Sequence, residues 1–388
     1  MSKKVTGFAI ALATMLGGAA LAAPSSGGGR TPAKLPAHYM DRFKHQSAHA
    51  RFNHLSAQTK ALIAAGANES NGRLRSFPSW NGSFSLDGTT YPYTMVGRDP
   101  RRGGSVEVDT ALIMLSFSFD EFVDAQGNNI VIDSSSIVDD VVSSPNFVPF
   151  AYTDGKAQFS DAVQRASFFN VMQRDWHTSI DKPRMLTPVT IEVPVGLADV
   201  FVTDGGSLVG FVDDDFLFSQ LQTILQLEGL RTDELPLLVS SNVSAVDFLG
   251  FHDAIDVQVG HRSGVQTYLY TSWFDVNAFG PVFADATTIT HEISEWMADP
   301  FVNNIVPDYV IPNSGGACQN FLEVGDPIEF LDNQEMDVTV RGHLYHTQTE
   351  VTVQWFSREV PSSAFRGAYS YPDLTVLTAP SDPCPTTN

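Results

Sequence analysis

The segment ADATTITHEISEWMADP, residues 284–300, decides how the fold and the chemistry of this chain are interpreted. His291, Glu292 and Glu295 form the spacing H-E-x-x-E, and Asp299 follows one helical turn later, directly before a proline. An α-helix turns by about 100° per residue, so these positions, apart from Glu292, lie on one face within about 80° of one another. The spacing therefore predicts a helix that directs one imidazole and two carboxylates toward a common point.

An imidazole and carboxylates that converge on one point are ligands for a divalent metal ion. We predict His291 and Glu295 as ligands and Asp299 as a further candidate. Glu292 lies about 100° round the helix from His291, where its carboxylate could accept a proton from a water molecule. The alternative is a solvated acidic helix face whose histidine only packs or caps.

The pattern resembles the active-site helix of the zincin metallopeptidases, in which H-E-x-x-H supplies two zinc-binding histidines and a glutamate as general base. Here Glu295 takes the position of the second histidine, which makes the ligand set harder and more anionic. In the thermolysin-like branch a third ligand is a glutamate from a following helix, and the counterparts in this chain are Glu323 and Asp326. The resemblance implies a divalent ion, with zinc expected and calcium or manganese as alternatives.

A closer resemblance is to the secreted exordium-like, or phosphate-induced, proteins and related bacterial exported proteins. These carry H-E-x-x-E-x-x-x-[DN]-P, followed by E-x-x-D near a cysteine. The matching residues are His291, Glu292, Glu295, Asp299, Pro300, Glu323 and Asp326, with Cys318 before the E-x-x-D. The resemblance covers about residues 90–380 and includes SSPNF (143–147), AQFSDAVQRASFF (157–169) and LGFHDA (249–254). It implies a metal-binding helix in an exported protein.

The amino terminus, residues 1–22, has the three-part layout of a secretory signal peptide: MSKK, an apolar run, and small residues that end in Ala-Leu-Ala. No later run reaches the roughly 18 apolar residues that a membrane span requires. We therefore expect a secreted or periplasmic protein with no membrane span after cleavage. In an oxidising compartment Cys318 and Cys384 are expected to form a disulfide, with two unpaired buried thiols as the alternative.

Charge divides the exported chain into two parts. Residues 23–75 carry eight Lys and Arg against two Asp and Glu, whereas residues 76–388 carry thirteen against 42. We interpret the basic part as a flexible leader, either a solvated linker or a pro-segment that lies across an acidic cleft. The whole chain has a net charge of −21, and its acidic body disfavours a nucleic-acid partner, which would need a basic face.

Short runs of β-branched and aromatic residues, bounded by Gly, Pro, Asp or Asn, predict an α+β fold. The expected strands are 110–119, 128–133, 187–193, 198–203, 236–246, 265–274, 349–357 and 368–373. The expected helices are 159–176, 213–230 and 284–299, and the second has an acidic amino end and an apolar stripe of Phe218, Leu221, Ile224, Leu225 and Leu227. We predict a strand-rich part over 76–195 and a zincin-like part over 196–388, with the active-site helix packed on a mixed sheet, or one domain over 76–388.

Two functions are consistent with these residues. The first is a secreted metal-dependent hydrolase, in particular a peptidase acting on polypeptides, with Glu292 as the general base. The second is a non-catalytic extracellular or cell-wall-associated binding protein, whose metal ion only fixes the helix to the E-x-x-D loop. For an oxyanion donor the sequence offers several candidates without choosing among them: His252, Tyr268, His343, Tyr345 and His346.

Overall fold

The structure is a computed structural model that describes residues 29–37, 39–40, 55–57, 59–60, 77–153, 155–259 and 262–385. The predicted signal peptide and most of the basic leader lie outside these residues. Within them, helices and several sheets are interspersed along the chain, and the predicted α+β class is confirmed.

The helices are α1 (Val138–Ser143), α2 (Phe159–Ser167), α3 (Asp214–Glu228), α4 (Val276–Phe279), α5 (Thr287–Ala298) and α6 (Val353–Ser357). The first strands are β1 (Ala33–Lys34), β2 (Ser79–Leu86), β3 (Thr89–Val96), β4 (Ser105–Val123), β5 (Asn129–Ile132), β6 (Phe150–Tyr152), β7 (Gly155–Ala157), β8 (His177–Ile180), β9 (Arg184–Met185), β10 (Val189–Val193) and β11 (Ala198–Val202). The remaining strands are β12 (Leu208–Val212), β13 (Glu234–Ser241), β14 (Val243–Ala245), β15 (Gly250–Val259), β16 (Arg262–Trp273), β17 (Ile305–Val310), β18 (Cys318–Phe321), β19 (Glu335–Val340), β20 (His343–Gln348), β21 (Glu350–Val351) and β22 (Ser370–Tyr371).

The main sheet has the strand order β10-β4-β13-β16-β15, and β5, β8 and β9 also pair with β4. It is mixed, because β4 runs parallel to β10 and β13 while β15 runs antiparallel to β16. A second sheet has the order β1-β11-β12-β14. Strand β4 belongs to the predicted strand-rich part, 76–195, and β13 to the predicted zincin-like part, 196–388. The two strands are neighbours in the main sheet, so this sheet joins the two predicted parts.

The long strand β4 carries apolar side chains on both faces of the main sheet. Ile113 and Leu115 belong to the core cluster that contains the buried side chains of α3. Leu112 and Met114 belong to the cluster that contains those of α5. Successive side chains of a strand point to opposite faces, so the unbroken apolar run of β4 lets helices cover both sides of the sheet.

Helix α5 matches the helix predicted over 284–299 and is fixed on two sides. Its apolar residues, including Ile293 and Trp296, pack on β15 and β16, and Trp296 Nε1 donates to Thr267 Oγ1 at 3.0 Å. Helix α2 packs beside it, with Ser160 Oγ and Ser294 Oγ at 2.9 Å. The remaining face of α5 is the one that carries the H-E-x-x-E residues.

Three sequence predictions need correction. In α3, Asp213 caps the amino end through Phe216 N–H at 3.0 Å as predicted, but Leu227 is on the solvent side and 64% exposed. The helix predicted over 159–176 ends at Ser167, because the chain turns there to pack Phe168 between aromatic rings. The strand predicted over 349–357 is instead β21 followed by α6, whose Gln354 side chain donates to Ser167 O at 2.8 Å and satisfies the end of α2.

The described pieces of the basic leader contact the body. Strand β1 pairs in parallel with β11, and Arg30 forms an ion pair with Glu121 at 2.8 Å. Farther along, Ser56 N–H donates to Asp256 at 2.6 Å, and Leu55 is buried. Whether this segment is a linker or a pro-segment stays a prediction.

The expected cysteine pair is present. Cys318 and Cys384 are bonded, with their Cα atoms 6.0 Å apart, at a sequence separation of 66. Cys318 begins β18, and the loop after β18 carries Glu323 and Asp326. The bond therefore fixes the carboxy-terminal segment to the strand that leads into the E-x-x-D loop.

Replacing Cys384 with Ser should lower the free energy of unfolding by about 4 kcal/mol. Without the bond, the unfolded chain is no longer closed into a loop of this length, so its conformational entropy rises and unfolding becomes more favourable. Urea unfolding of both proteins would measure the difference. A reducing agent should destabilise the wild type to a similar degree and leave the variant unchanged. Equal unfolding midpoints for the oxidised wild type and the variant would contradict the prediction.

Candidate metal centre

The H-E-x-x-E residues of α5 line a cavity of about 80 Å³, which has room for several water molecules. His291, Glu292 and Glu295 are each less than one-tenth exposed. Other elements contribute polar side chains to the same cavity, among them His252 from β15, Gln319 from β18 and Gln348 from β20. The predicted ligands and the predicted base thus share one largely buried site.

The Glu295 carboxylate is oriented by the backbone of the E-x-x-D loop. Its Oε1 accepts the N–H of Gly325 at 3.0 Å and that of Asp326 at 3.2 Å. Its Oε2 lies 3.1 Å from His291 Nε2. One oxygen is therefore engaged by the loop, and the other faces the imidazole.

The His291 ring has a defined tautomer. Gln348 Nε2 donates to Gly325 O at 2.7 Å, which turns Gln348 Oε1 toward His291 Nδ1 at 3.3 Å. An amide oxygen only accepts, so Nδ1 carries a hydrogen, and Nε2 is the nitrogen left for a carboxylate or a metal ion. Nε2 faces Glu295 Oε2 and also Asp326 Oδ1, which is 3.4 Å away.

The His252 ring is oriented in an equivalent way from the opposite side. Its Nε2 lies 3.0 Å from the Asp299 carbonyl oxygen and must donate to it. Its Nδ1 lies 3.6 Å from Glu292 Oε2 and 3.9 Å from Glu295 Oε2. Each imidazole therefore directs its second nitrogen, as a lone pair or as an N–H, at carboxylate oxygens.

Such an arrangement repels unless a cation or a proton lies between the groups. Glu292 Oε2 is buried without a hydrogen-bond partner among the described residues. The ligand atoms form two overlapping groups within 4.8 Å, His291 with Glu292 and Glu295, and His252 with Glu295 and Glu323. Mixed imidazole and carboxylate donors of this kind fit a divalent ion.

The pKa shifts in the site show an excess of buried negative charge. Burial raises the pKa of Glu292, and burial together with the neighbouring Glu295 carboxylate raises that of Glu323 well above its usual range. Burial alone would lower the pKa of His291, but Glu295 and Asp326 outweigh it and raise the pKa well above its ordinary value. Without a metal ion, the site thus favours protonation.

Two further carboxyl groups, which no sequence motif marks, contribute to the negative charge around the site. Burial raises the pKa of Glu350 well above its usual range, and neither of its carboxylate oxygens has a hydrogen-bond partner among the described residues. Burial and the neighbouring Asp326 raise the pKa of Glu329 to about 8. Neither residue belongs to a motif, so only the fold could show that they lie here.

The other candidate ligands predicted from the sequence, Asp299, Asp326 and Glu323, differ in what their carboxylates contact. Asp299 turns both carboxylate oxygens to the backbone, accepting the N–H of Asn303 at 2.9 Å and of Asn304 at 3.0 Å. Helix α5 ends at Ala298, so the helical angle that aligned Asp299 with His291 does not hold there. Asp326 Oδ2 accepts from Gln319 at 2.7 Å while its Oδ1 faces His291, and Glu323 Oε2 lies 3.8 Å from His252 Nε2.

Of the candidate oxyanion donors, His252 alone lines the cavity. The Tyr268 hydroxyl donates to Asp253 at 3.3 Å, and the Tyr345 hydroxyl to Asp140 O at 3.2 Å. His346 is held by Asp285 at 2.6 Å. The segment LGFHDA, which carries His252, was the sequence signal for this residue.

Two glycines let the backbone approach the site closely. A Cβ atom at Gly325 would lie 2.5 Å from His291 Nδ1, and one at Gly250 would lie 2.8 Å from Glu292 Oε1. Either side chain would displace a group of the site rather than fit beside it.

Comparison of the chain with protein-family models finds no match, and comparisons with curated proteins and with solved structures find none either. None of the helices in the described residues has the length and hydropathy that a bilayer crossing needs.

The variant Gly325→Ala should bind zinc at least about tenfold more weakly than the wild type, because the added methyl group pushes the His291 ring out of position. Competition with a chromophoric chelator would measure the dissociation constant. The unfolding temperature of the metal-free variant reports whether the fold is retained. An unchanged zinc affinity in a folded variant would show that the ring has room to move.

The metal-free protein should lose stability as pH rises from about 4.5 to about 8. The pKa values of Glu292, Glu323, Glu329, Glu350, His252 and His291 are all raised. The folded state therefore binds more protons than the unfolded state, in which glutamates titrate near 4.5 and histidines near 6.5. Unfolding temperatures with a chelator should fall over this range, and saturating zinc should remove most of the fall. A metal-free unfolding temperature that rises over the same range is the opposite outcome.

Proposed function

We propose that this protein is a secreted metal-dependent hydrolase, in particular a zincin-like peptidase. The observation that carries the proposal is the Glu292 carboxylate, which is 4% exposed and has an Oε2 without a hydrogen-bond partner among the described residues. This oxygen lies beside the imidazole and carboxylate groups that fit a divalent ion. A buried base next to a metal site is the arrangement that metal-assisted hydrolysis needs.

His291 and Glu295 would hold the ion, with further ligands from the groups that face them. Zinc is the ion we propose, since it accepts imidazole and carboxylate donors together. When bound, such an ion acts as a Lewis acid and lowers the pKa of water. The Glu295 carboxylate contributes negative charge that moderates this effect.

Glu292 would act as the general base. Burial raises the pKa of its carboxyl group, which brings it closer to the range in which a carboxylate both accepts and returns a proton near neutral pH. The backbone at Gly250 packs against Glu292 Oε1 and limits the movement of the carboxylate. Its Oε2 is left for a proton from water and for later delivery to a leaving amine.

The lining of the cavity supports a polypeptide substrate. Its apolar wall includes Phe248, Phe283, Ile311 and Phe330, and its acidic groups include Asp247. Among the described residues that line it, none is Lys or Arg. Such a surface favours a neutral or cationic peptide with an apolar side chain and disfavours a phosphorylated substrate.

Export is part of the proposal. The signal-like residues 1–22 would direct the chain to a secretory pathway, and the bonded cysteines are compatible with an oxidising compartment.

Replacing Glu292 with Gln tests the function. The variant should lose at least about 99% of peptidase activity on a denatured or unfolded protein substrate, because Gln cannot accept the proton. It should still bind one zinc ion and should unfold within a few degrees of the wild type. Fluorescent casein digestion, metal analysis and thermal unfolding measure the three properties.

Exposed His343 provides a matched control, and the variant His343→Ala should keep all three properties. Wild-type protein that binds zinc and digests no substrate would instead favour the binding-protein hypothesis. A Glu292→Gln variant that loses zinc as well as activity would make Glu292 a ligand rather than the base.

A further inference from the structure

We infer that His252 and His291 bind the same metal ion, so that strand β15 supplies the second histidine that the helix motif lacks. The inference rests on the metal site of the proposed function and specifies its ligands. The ion would be held by His252 Nδ1, His291 Nε2 and Glu295 Oε2. Glu292 then keeps its place as base, beside His252 rather than among the ligands.

The alternation of side chains along β15 places His252 on the face of the sheet against which α5 packs. Ala254, two residues on, belongs to the core cluster of α5, whereas Ile255 belongs to the cluster on the opposite face. Alternation along β15 therefore points His252 toward α5. Because α5 packs against β15, a histidine at this position reaches the same carboxylate as the first residue of the motif.

Each imidazole is prepared for metal binding by a hydrogen bond at its distant nitrogen. His252 Nε2 donates to the Asp299 carbonyl oxygen at 3.0 Å, and His291 Nδ1 donates to Gln348 Oε1 at 3.3 Å. Metal-binding histidines usually have such a partner, which sets the tautomer and aims the other nitrogen. Here both aimed nitrogens face Glu295 Oε2, at 3.9 Å and 3.1 Å.

The geometry favours one ion over two. A carboxylate that bridges two ions usually offers one oxygen to each, but Glu295 Oε1 is already engaged by the N–H groups of Gly325 and Asp326. A single oxygen, Oε2, remains for metal binding, and both histidines face it. The two groups of ligand atoms share Glu295, and the inferred ion takes the position at that shared oxygen.

This assignment places Glu323 outside the immediate ligands. Its Oε2 lies 3.8 Å from His252 Nε2, the nitrogen that carries the hydrogen, and not beside the lone pair of Nδ1. Two imidazole nitrogens with one carboxylate oxygen suit zinc and similar transition ions, whereas calcium prefers oxygen ligands alone. The inferred set thus selects against calcium.

The test is the variant His252→Gln, whose amide can still donate to Asp299 O but has no nitrogen lone pair to offer. Zinc affinity is measured by chelator competition, and the number of imidazoles on the ion by X-ray absorption of the zinc-loaded full chain. We expect one tight zinc ion with two imidazoles in the wild type. The variant should show one imidazole and a dissociation constant raised more than about 100-fold, beyond the 10–100-fold effect typical of an indirect partner.

His252→Ala serves as a second variant if the glutamine form does not fold. The variant Glu323→Gln tests the competing ligand, and we expect it to weaken zinc binding less than about tenfold. One imidazole in the wild type, or a larger loss in Glu323→Gln than in His252→Gln, would overturn the inference. So would two tight ions of which His252→Gln loses one. Two imidazoles in a protein without peptidase activity would leave the inference intact and refute only the proposed function, whereas a wild type that binds no zinc would remove the site on which both depend.

Discussion

The structure depends on how the Glu295 carboxylate is held inside the protein. A charged carboxylate in an apolar interior is costly unless hydrogen bonds and opposite charge compensate it. Two backbone N–H groups compensate one oxygen, and the imidazole of His291 faces the other. The same contacts join α5 to the E-x-x-D loop. One buried carboxylate thus joins two segments that are distant in the sequence.

The layered architecture makes this concentration of charge tolerable. Helix α5 is fixed to the sheet by its apolar face and to α2 by a hydroxyl pair, so its polar face does not have to contribute to its packing. The sheet beneath it is apolar on both faces, and the rigid strands β15 and β16 set the position of His252. Precise placement on regular elements is what a functional site requires.

Much of this arrangement was readable from the sequence, and the limits have physical causes. The H-E-x-x-E spacing predicted α5 and its polar face, because helical angles are local. It could not place Asp299, where the helix has already ended, or the Gln348 amide that orients His291. His252 lies 39 residues before His291 in the chain. Its proximity depends on the pairing of β15 with β16 and on the docking of α5, and neither is encoded by a local pattern. Similarly, Leu227 fits the apolar composition of α3 but falls on the solvent side of it.

The cysteine bond bears on when the site is assembled. Cys318 is followed directly by Gln319, which holds Asp326 at 2.7 Å and accepts from the Tyr309 hydroxyl at 2.6 Å. Until Cys384 has been synthesised and bonded to Cys318, this strand lacks its covalent attachment. A chain whose cysteines are reduced would hold the E-x-x-D loop without this covalent link, through contacts such as those with Gln319 and Glu295. The order of the loop then depends on the oxidation state of two cysteines as well as on the packing of α5.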